Sequence, residues 1–235
     1  MPEQITLYGR NESPYNHRVA ITLAEVGAKY TMYILPAGDK PAWYTEKVNP
    51  TGKIPSISYG GPATDPASPS PESRKIPESL VIAEFIADLH PGTTLVPADP
   101  LKKADMRLFI TLWDGKGMEH FRGFLFGAVT IEAYLAFFEE LQARLSPTGF
   151  AVGEFSLADV AMAPFLLRSE MALKNEIGKY AVGDGKKVLD ALAEPKFARI
   201  RKYTEDLKEW PSVKKTYDEA ASYEAWANLP YIQRA

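Results

Sequence analysis

A serine at the start of a predicted helix is the residue best suited to chemistry in the N-terminal part of the chain. Ser13 opens the run Ser-Pro-Tyr-Asn-His-Arg at residues 13–18, between a predicted strand and a predicted helix. A hydroxyl at a helix N-terminus lies beside unpaired backbone N–H groups, which together with the helix dipole favour a bound anion. Serine is also a common N-cap, so this motif taken alone favours a structural role.

Three other motifs combine polar side chains with a proline or a helix start. Pro55 heads a predicted strand, where a residue without an N–H must take the first position or follow a cis bond. Glu78 and Ser79 open a predicted helix, and they can either cap it or bind an ammonium and a carboxylate. Ser156 and Asp159 have the spacing of a capping box, which is a folding element.

Cysteine is absent from the 235 residues. This excludes disulfides, thiolate metal sites and a thiol nucleophile that belongs to the protein. The histidines, His17, His90 and His120, are widely spaced, so we expect no metal site. Sulfur chemistry in this chain would therefore need a bound thiol.

The N-terminal part has the pattern of a small mixed α/β domain. The helix after Ser13 has proline at its first position and ends at Gly27. With the strands on either side it makes a β-α-β unit of about thirty residues, the size of one crossover connection. Strands are predicted over residues 4–8, 30–34, 56–59 and 74–76, and a short helix is predicted over residues 41–48.

Residues 60–73, GGPATDPASPSPES, are rich in glycine, proline and serine. This composition predicts an exposed, mobile loop that is too polar to pack. The loop can be interpreted either as a lid over a site or as an insertion that the fold tolerates. The insertion is favoured because surface loops accept insertions readily.

From Glu78 onward the apolar residues recur with helical spacing, and the first of these helices ends at His90. A linker follows, and every later long segment is helical in pattern. Helices are predicted around residues 106–113, 131–145, 157–169 and 195–209. The predicted fold class is α/β plus all-α, with an N-terminal domain at 1–91, a linker at 92–99 and a helical domain at 100–235.

Charge and hydropathy disfavour several classes of partner. The 27 basic and 30 acidic residues give a net charge of -3, whereas nucleic-acid binders concentrate Lys and Arg on one face. No apolar run approaches the roughly 18–20 residues that span a bilayer. The N-terminal run MPEQITLYGR lacks the basic and apolar regions of a secretory signal. We therefore expect a cytoplasmic protein that binds neither nucleic acid nor membrane.

The order and spacing of the motifs resemble cytosolic glutathione transferases over about residues 4–220. Besides the motifs above, the resemblance rests on Lys-Pro-x-Trp at residues 40–43 and Asn-Pro-x-Gly-x-Ile-Pro at residues 49–55. The Lys-Pro-x-Trp run and the Ser-Pro-Tyr-x-x-Arg spacing indicate the omega class, in a serine variant of the fungal type.

This resemblance implies a thioredoxin-like domain with a mixed four-stranded sheet, a helical domain, glutathione as co-substrate and a homodimer. It implies that Ser13 faces the glutathione sulfur and that Glu78 and Ser79 anchor the γ-glutamyl group. The remaining residues that it implies are Lys40 at the glycyl end, the Ile54 backbone before a cis Pro55, and Tyr15 at the mouth of the site.

The resemblance also implies an apolar pocket for a second substrate. Its candidates besides Tyr15 are Trp113, Phe121, Phe124 and Trp226. One predicted helix holds Trp113, Phe121, Phe124 and Phe126 with Gly115, Gly117 and Gly123 between them. Each glycine costs a helix about 0.5–1 kcal/mol relative to alanine, so we interpret the glycines as room for a flat aromatic ligand. Close packing of helices is the alternative.

Serine at position 13 departs from most omega enzymes, which carry cysteine there and form a mixed disulfide with glutathione. A hydroxyl cannot form that bond, but it can donate to a bound thiolate. We therefore expect conjugation of glutathione to small hydrophobic or aromatic electrophiles, or reduction of peroxides. Non-catalytic carriage of aromatic molecules (a ligandin) and glutathione-dependent ether cleavage remain alternatives. A translation-factor or regulatory domain is disfavoured, because that class would need an appended domain or a long tail.

Overall fold

Strands and helices alternate in the N-terminal part of the chain. The computed structural model describes residues 3–234, which divide between Thr93 and Thr94 into two compact units. The predicted elements of the first unit are confirmed, with ends that shift by at most two residues. They are β1 (Ile5–Gly9), α1 (Pro14–Glu25), β2 (Thr31–Ile34), α2 (Ala42–Lys47), β3 (Ser56–Tyr59), β4 (Arg74–Pro77) and α3 (Ser79–Leu89).

Four strands of the first unit form one mixed sheet in the order β2-β1-β3-β4. β1 is parallel to β2 and antiparallel to β3, and β3 is antiparallel to β4. Successive side chains of a strand point to opposite faces, so Leu7 and Tyr8 belong to different cores. Leu7 packs with Val19 of α1 and Ile82 of α3, whereas Tyr8 packs with Tyr44 of α2. The thioredoxin-like arrangement expected from the sequence is confirmed.

The loop at residues 60–73 differs from its prediction. Residues 61–65 are exposed, but Pro69, Ser70 and Ser73 are buried. The prediction that the whole segment is too polar to pack is therefore wrong. Serine and proline are buried here because the hydroxyls and carbonyls of the segment find hydrogen-bond partners on the sheet.

Three strands anchor the second half of this loop. The Tyr8 hydroxyl donates to the Pro66 carbonyl at 2.9 Å. Burial raises the pKa of Tyr8 to about 12, so the donor stays protonated at physiological pH. The Ser58 hydroxyl donates to Ser73 Oγ at 2.6 Å, and Lys75 Nζ donates to the Ser73 carbonyl at 2.9 Å. Residues 66–73 are thus part of the folded unit.

Helices build the second unit. The structure extends the predicted helix at 157–169 to Lys174 and adds helices that were not predicted, between 175 and 194 and after 209. A 3₁₀ turn, Pro195–Phe197, precedes α9, and another, Pro230–Ile232, follows α11. The helices are α4 (Pro100–Leu112), α5 (Met118–Leu125), α6 (Ile131–Arg144), α7 (Leu157–Lys174), α8 (Asp184–Leu192), α9 (Ala198–Glu209), α10 (Pro211–Thr216) and α11 (Glu219–Ala227).

The buried helix α7 begins with the predicted capping box, which is confirmed. Ser156 Oγ accepts from the Ala158 N–H at 3.3 Å, and the Ser156 N–H donates to Asp159 Oδ2 at 2.8 Å. The other carboxylate oxygen of Asp159 accepts from the Tyr203 hydroxyl at 2.7 Å and from the Ala151 N–H at 2.9 Å. Burial raises the pKa of Asp159 to about 6.

Most of the predicted linker at 92–99 belongs to the second unit, which begins at Thr94. Leu95 is buried, and its carbonyl accepts from the Leu157 N–H at 2.8 Å. This bond satisfies one of the unpaired donors at the start of α7. None of the helices within residues 3–234 is both long and apolar enough to cross a membrane.

Candidate active site

The predicted site motifs meet at one end of the sheet. Ser56, the first residue of β3, lies opposite both Tyr8 near the end of β1 and Pro77 at the end of β4. The segment after β1 carries Ser13, the segment after β4 carries Glu78 and Ser79, and the segment before β3 carries Ile54 and Pro55. All three segments therefore meet the sheet at the same end.

Ser13 is the N-cap of α1. Its backbone is extended, and its Oγ accepts from the Asn16 N–H at 3.3 Å. Because this bond uses a lone pair, the hydroxyl proton stays available for a ligand. The half-buried Ser13 side chain thus places a proton donor at the positive end of the helix dipole.

A glycine lets the start of α1 approach β1 closely. A Cβ at Gly9 would lie 2.0 Å from Asn16 Oδ1, so any other residue there would displace the Asn16 side chain. Asn16 is buried, and its Oδ1 has no hydrogen-bond partner within the part of the chain that the structure describes. Gly9 therefore fixes the distance between the end of β1 and the helix that begins after Ser13.

Arg18 connects α1 to α3, a link that the sequence did not reveal. Its side chain is buried, and Nη1 donates to Ser79 Oγ at 3.4 Å. The guanidinium carbon lies 5.5 Å from the centre of the Tyr15 ring. Arginine is only a donor, so Ser79 accepts in this bond and its own proton is free to point to another acceptor. The buried cation and the N-terminus of α3 both favour an anion beside Ser79.

Glu78 precedes α3 with a left-handed backbone, at φ 70°. Its side chain is exposed and makes no capping hydrogen bond to α3. Glu78 therefore occupies the N-cap position of α3 without capping the helix through its side chain, and its exposed carboxylate can meet a cation. Ser79 is the first residue of the helix rather than its cap, and it is buried.

The predicted cis bond between Ile54 and Pro55 is confirmed. Two side chains hold the preceding carbonyl: the Tyr44 hydroxyl donates to Lys53 O at 2.6 Å, and Asn49 Nδ2 donates to it at 2.9 Å. Neither positioning residue was predicted. The Asn-Pro-Thr run is typical of a side-chain turn, and it was the signal that could have identified Asn49.

Lys40 lies between β2 and α2 and is half-buried. β2 ends opposite Gly9 of β1, so this segment also starts at the end of the sheet that carries Ser13. Trp43, three residues later, packs its ring 5.4 Å from that of Tyr33 and 6.0 Å from that of Tyr8. The tryptophan of the Lys-Pro-x-Trp run thus fastens the segment to the sheet.

Three of the predicted second-substrate residues share one aromatic cluster in the second unit. Phe165 of α7 lies 5.8 Å from Trp113 and 5.6 Å from Phe121, and Phe121 lies 6.4 Å from Trp226. Phe124 is elsewhere, stacked between Tyr134 at 4.6 Å and Tyr180 at 4.9 Å and only 3% exposed. Its two ring faces are covered by protein, so the prediction that it lines a ligand pocket is wrong.

The interpretation of Gly117 and Gly123 as room for a ligand is also wrong, whereas a Cβ at Gly115 would meet nothing within 4 Å. A Cβ at Gly117 would lie 2.6 Å from the Trp113 ring, and one at Gly123 would lie 2.3 Å from Val129 Cγ2. The space is filled by the protein's own side chains, so these glycines permit close packing. Trp113–Gly117 forms a π-helical turn between α4 and α5, so the predicted single helix is interrupted, and Phe126 follows the end of α5.

Comparisons with known proteins agree on one family. A family model described as the N-terminal domain of glutathione S-transferase matches residues 7–94. The crystal structure of glutathione transferase Omega 1C from Trametes versicolor is 44% identical, covers 96% of both chains and has a TM-score of 0.93. Omega 2S from the same organism, in complex with 2,4-dihydroxybenzophenone, is 43% identical over 97% of this chain and 100% of that chain, with a TM-score of 0.92. Glutathione S-transferase L1 from Arabidopsis thaliana is 28% identical over 80% of this chain and 76% of its own length.

Proposed function

Since the chain belongs to the omega class of the glutathione transferases, we propose that its Ser13 hydroxyl activates the glutathione thiol for attack on small hydrophobic electrophiles. Glutathione is the co-substrate of this family, and the chain is a transferase. The observation that carries the proposal is the state of Ser13. Its oxygen accepts from the Asn16 N–H at 3.3 Å, which leaves its proton for a thiolate at the N-terminus of α1.

The required shift in thiol pKa is within the capacity of this arrangement. A free thiol with a pKa near 8.5 is only about 3% ionised at neutral pH. Lowering that pKa by roughly two units ionises about three quarters of it, for about 2.7 kcal/mol. A hydrogen bond to a charged acceptor contributes about 1.5–3 kcal/mol and a helix N-terminus about 0.3–1 kcal/mol. The two together meet the requirement.

In the proposed reaction the glutathione thiol loses its proton to solvent and its sulfur attacks the electrophilic carbon. A carbon–sulfur bond forms, and the leaving group departs with its bonding electron pair. The Ser13 proton stays on its oxygen and stabilises the thiolate before attack. Reduction of peroxides by the same thiolate is a further proposed activity.

The other glutathione contacts are proposed on the positions that the motifs occupy. The Ser79 hydroxyl and the N-terminus of α3 receive the γ-glutamyl carboxylate, and the exposed carboxylate of Glu78 receives the ammonium. The Ile54 backbone pairs with the peptide before Pro55, and Lys40 meets the glycyl carboxylate. Tyr15, Phe121 and Trp226 remain the proposed second-substrate residues, whereas Trp113 is only 2% exposed and is no better placed than Phe124 to meet a ligand.

Replacement of Ser13 tests the proposal. In Ser13→Ala, kcat/KM for conjugation of a chlorodinitrobenzene should fall about a hundredfold. Its pH profile should move toward the free-thiol pKa of about 8.5. Ser13→Thr keeps a hydroxyl and a helix cap, so it should retain activity and serves as the control. An unchanged rate and pH profile in Ser13→Ala would refute the assignment of Ser13.

Ser13→Cys should gain thiol transferase activity through a mixed disulfide with glutathione.

A ligand carrier is the second candidate. The observation that favours it is that Omega 2S from Trametes versicolor was crystallised with 2,4-dihydroxybenzophenone, a molecule without an evident leaving group. Conjugation by purified protein separates the two functions. A carrier would bind flat aromatic molecules and show no turnover with glutathione.

A homodimer and a cytoplasmic location are proposed on the basis of the family. The surface of α4 supports the homodimer, because Leu101 and Leu108 of this helix are 77% and 63% exposed. Residues seven apart lie on one face of a helix. Two large apolar side chains on that face are suited to burial against a second copy of the chain.

A further inference from the structure

A groove in the second unit lies apart from all the residues assigned to the active site. α8 and α9 both pack on α6 and α7, and they separate after the turn at residues 193–197. The gap between them is a cavity of about 190 Å³. Its apolar walls are Phe138, Leu166, Leu173, Leu189, Leu192 and Ile200.

The charged groups at the rim are largely engaged with the protein. Arg201 Nη1 donates to the carbonyls of Leu192 and Glu194, each at 2.8 Å. Glu170 pairs with Lys174 at 2.6 Å and with Lys208 at 2.5 Å. Both cations of the rim thus already have acceptors, so the groove offers little attraction to an anionic ligand.

Two further polar side chains of the groove, those of Thr204 and Glu205, can accept a hydrogen bond. The Thr204 hydroxyl donates to the Ile200 carbonyl at 2.9 Å, which leaves its lone pairs free. Glu205 is exposed and makes no ion pair with any residue from 3 to 234. A ligand hydroxyl could donate to either oxygen, whereas a ligand carboxylate would be repelled by Glu205.

We propose that this groove binds small, neutral, hydroxylated aromatic compounds. An apolar cavity of about 150 Å³ is enough to hold benzene, so a volume of about 190 Å³ holds one ring with its substituents, and a second ring can extend from the open side of the groove. The walls supply contact with the ring, and Thr204 and Glu205 supply acceptors at the mouth. The site does not depend on the proposed role of Ser13, since none of its lining residues belongs to the proposed active site.

Filling the groove tests the proposal directly. Calorimetric titration with 2,4-dihydroxybenzophenone, the ligand of the Trametes versicolor structure, should show one fewer bound molecule per chain in Ala193→Trp than in the unmodified protein. Ala193 lines the groove and is exposed, so an indole can enter the cavity without disturbing the core. Ala198→Trp is the matched control, because Ala198 is exposed on α9 and does not line the groove. Unchanged stoichiometry in Ala193→Trp, or equal loss in both variants, would overturn the site.

A second variant tests recognition of the hydroxyl. Thr204→Val keeps the shape but removes the acceptor, so binding of 2,4-dihydroxybenzophenone at the groove should weaken about tenfold while that of benzophenone stays unchanged. Equal effects on the two ligands would refute the role of Thr204. Conjugation of chlorodinitrobenzene should remain at the wild-type rate in every groove variant. Loss of that activity would show that the groove belongs to the catalytic site and would overturn its independence.

Discussion

The N-cap of α1, Ser13, and a residue within this helix, Arg18, serve different parts of the same proposed ligand. In the proposed binding mode the Ser13 hydroxyl donates its proton to the sulfur, and Arg18 orients the Ser79 hydroxyl toward the γ-glutamyl carboxylate. Because arginine cannot accept a hydrogen bond, its contact with Ser79 Oγ forces that hydroxyl to donate elsewhere. Arg18 is thus a positioning residue that acts through Ser79.

Replacement of Arg18 by methionine should raise the Kd for glutathione about tenfold, because a hydroxyl that is no longer oriented donates less well to a carboxylate. Methionine is apolar and of similar length, so the variant removes the guanidinium and its bond to Ser79 while it fills a similar volume. Calorimetry on Arg18→Met, Ser79→Ala and the double variant measures the coupling. In the Ser79→Ala background the further loss should be less than about twofold. Fully additive losses would contradict an action through Ser79.

Much of the site could be predicted from local sequence signals, whereas its long-range hydrogen bonds could not. Ser13 as a cap and Pro55 after a cis bond follow from a few neighbouring residues. The bond between Arg18 and Ser79 joins positions 61 residues apart, and no local pattern encodes it. The Tyr44 bond to Lys53 depends on how α2 packs against the sheet.

Among the elements, α7 depends most clearly on its first turn. The capping box was predictable because its partners lie three residues apart. The contacts of the same carboxylate with Ala151 and Tyr203 were not predictable, since α9 must first pack on α7. Because the Asp159 carboxyl is buried, the stability of the first turn of α7 depends on pH.

The free energy of unfolding should therefore depend on the titration of Asp159. Burial raises the pKa of this carboxyl in the folded protein to about 6 from an ordinary value of 3.8, so the folded state binds the proton more tightly. The resulting stabilisation is fully present below the ordinary pKa and is lost as pH rises through about 6, for about 3 kcal/mol.

Urea unfolding of the wild type and of Asp159→Asn measures this effect. The wild type should lose stability relative to the variant between about pH 4 and about pH 7. The variant does not titrate at this position, so the difference between the two curves isolates Asp159 from other groups. Parallel curves would show that the carboxyl titrates normally.

Short and polar elements were the hardest to predict. The N-terminal strands and helices were found because two periodicities alternate over short distances. α8, with the sequence DGKKVLDAL, has few apolar residues, and its stability comes from packing on α6 and α7. The glycines near Trp113 were misinterpreted because sequence alone cannot tell an empty space from one filled by Phe137 or Val129.

At the scale of the whole molecule, each unit has its own hydrophobic interior, and exposed apolar residues remain on α4. If α4 forms an interface, light scattering should give twice the chain mass of 26.1 kDa. The double variant Leu101→Glu/Leu108→Glu should be monomeric at micromolar concentration, because two carboxylates would be buried without partners. Val182→Glu is the control, since Val182 is 78% exposed and lies outside α4. A wild-type protein that elutes as a monomer would contradict the proposed dimer.

The loop between β3 and β4 has a practical consequence for protein engineering. A peptide tag inserted within residues 61–65 extends a stretch that is exposed, and it leaves the bond between Tyr8 and Pro66 in place. The same tag at residues 69–73 would interrupt a segment in which Pro69, Ser70 and Ser73 are buried, and it would disturb the bonds of Ser73 with Ser58 and Lys75. A protease that cuts after Asp65 should therefore leave a nicked domain folded, whereas a cut within the anchored half should not.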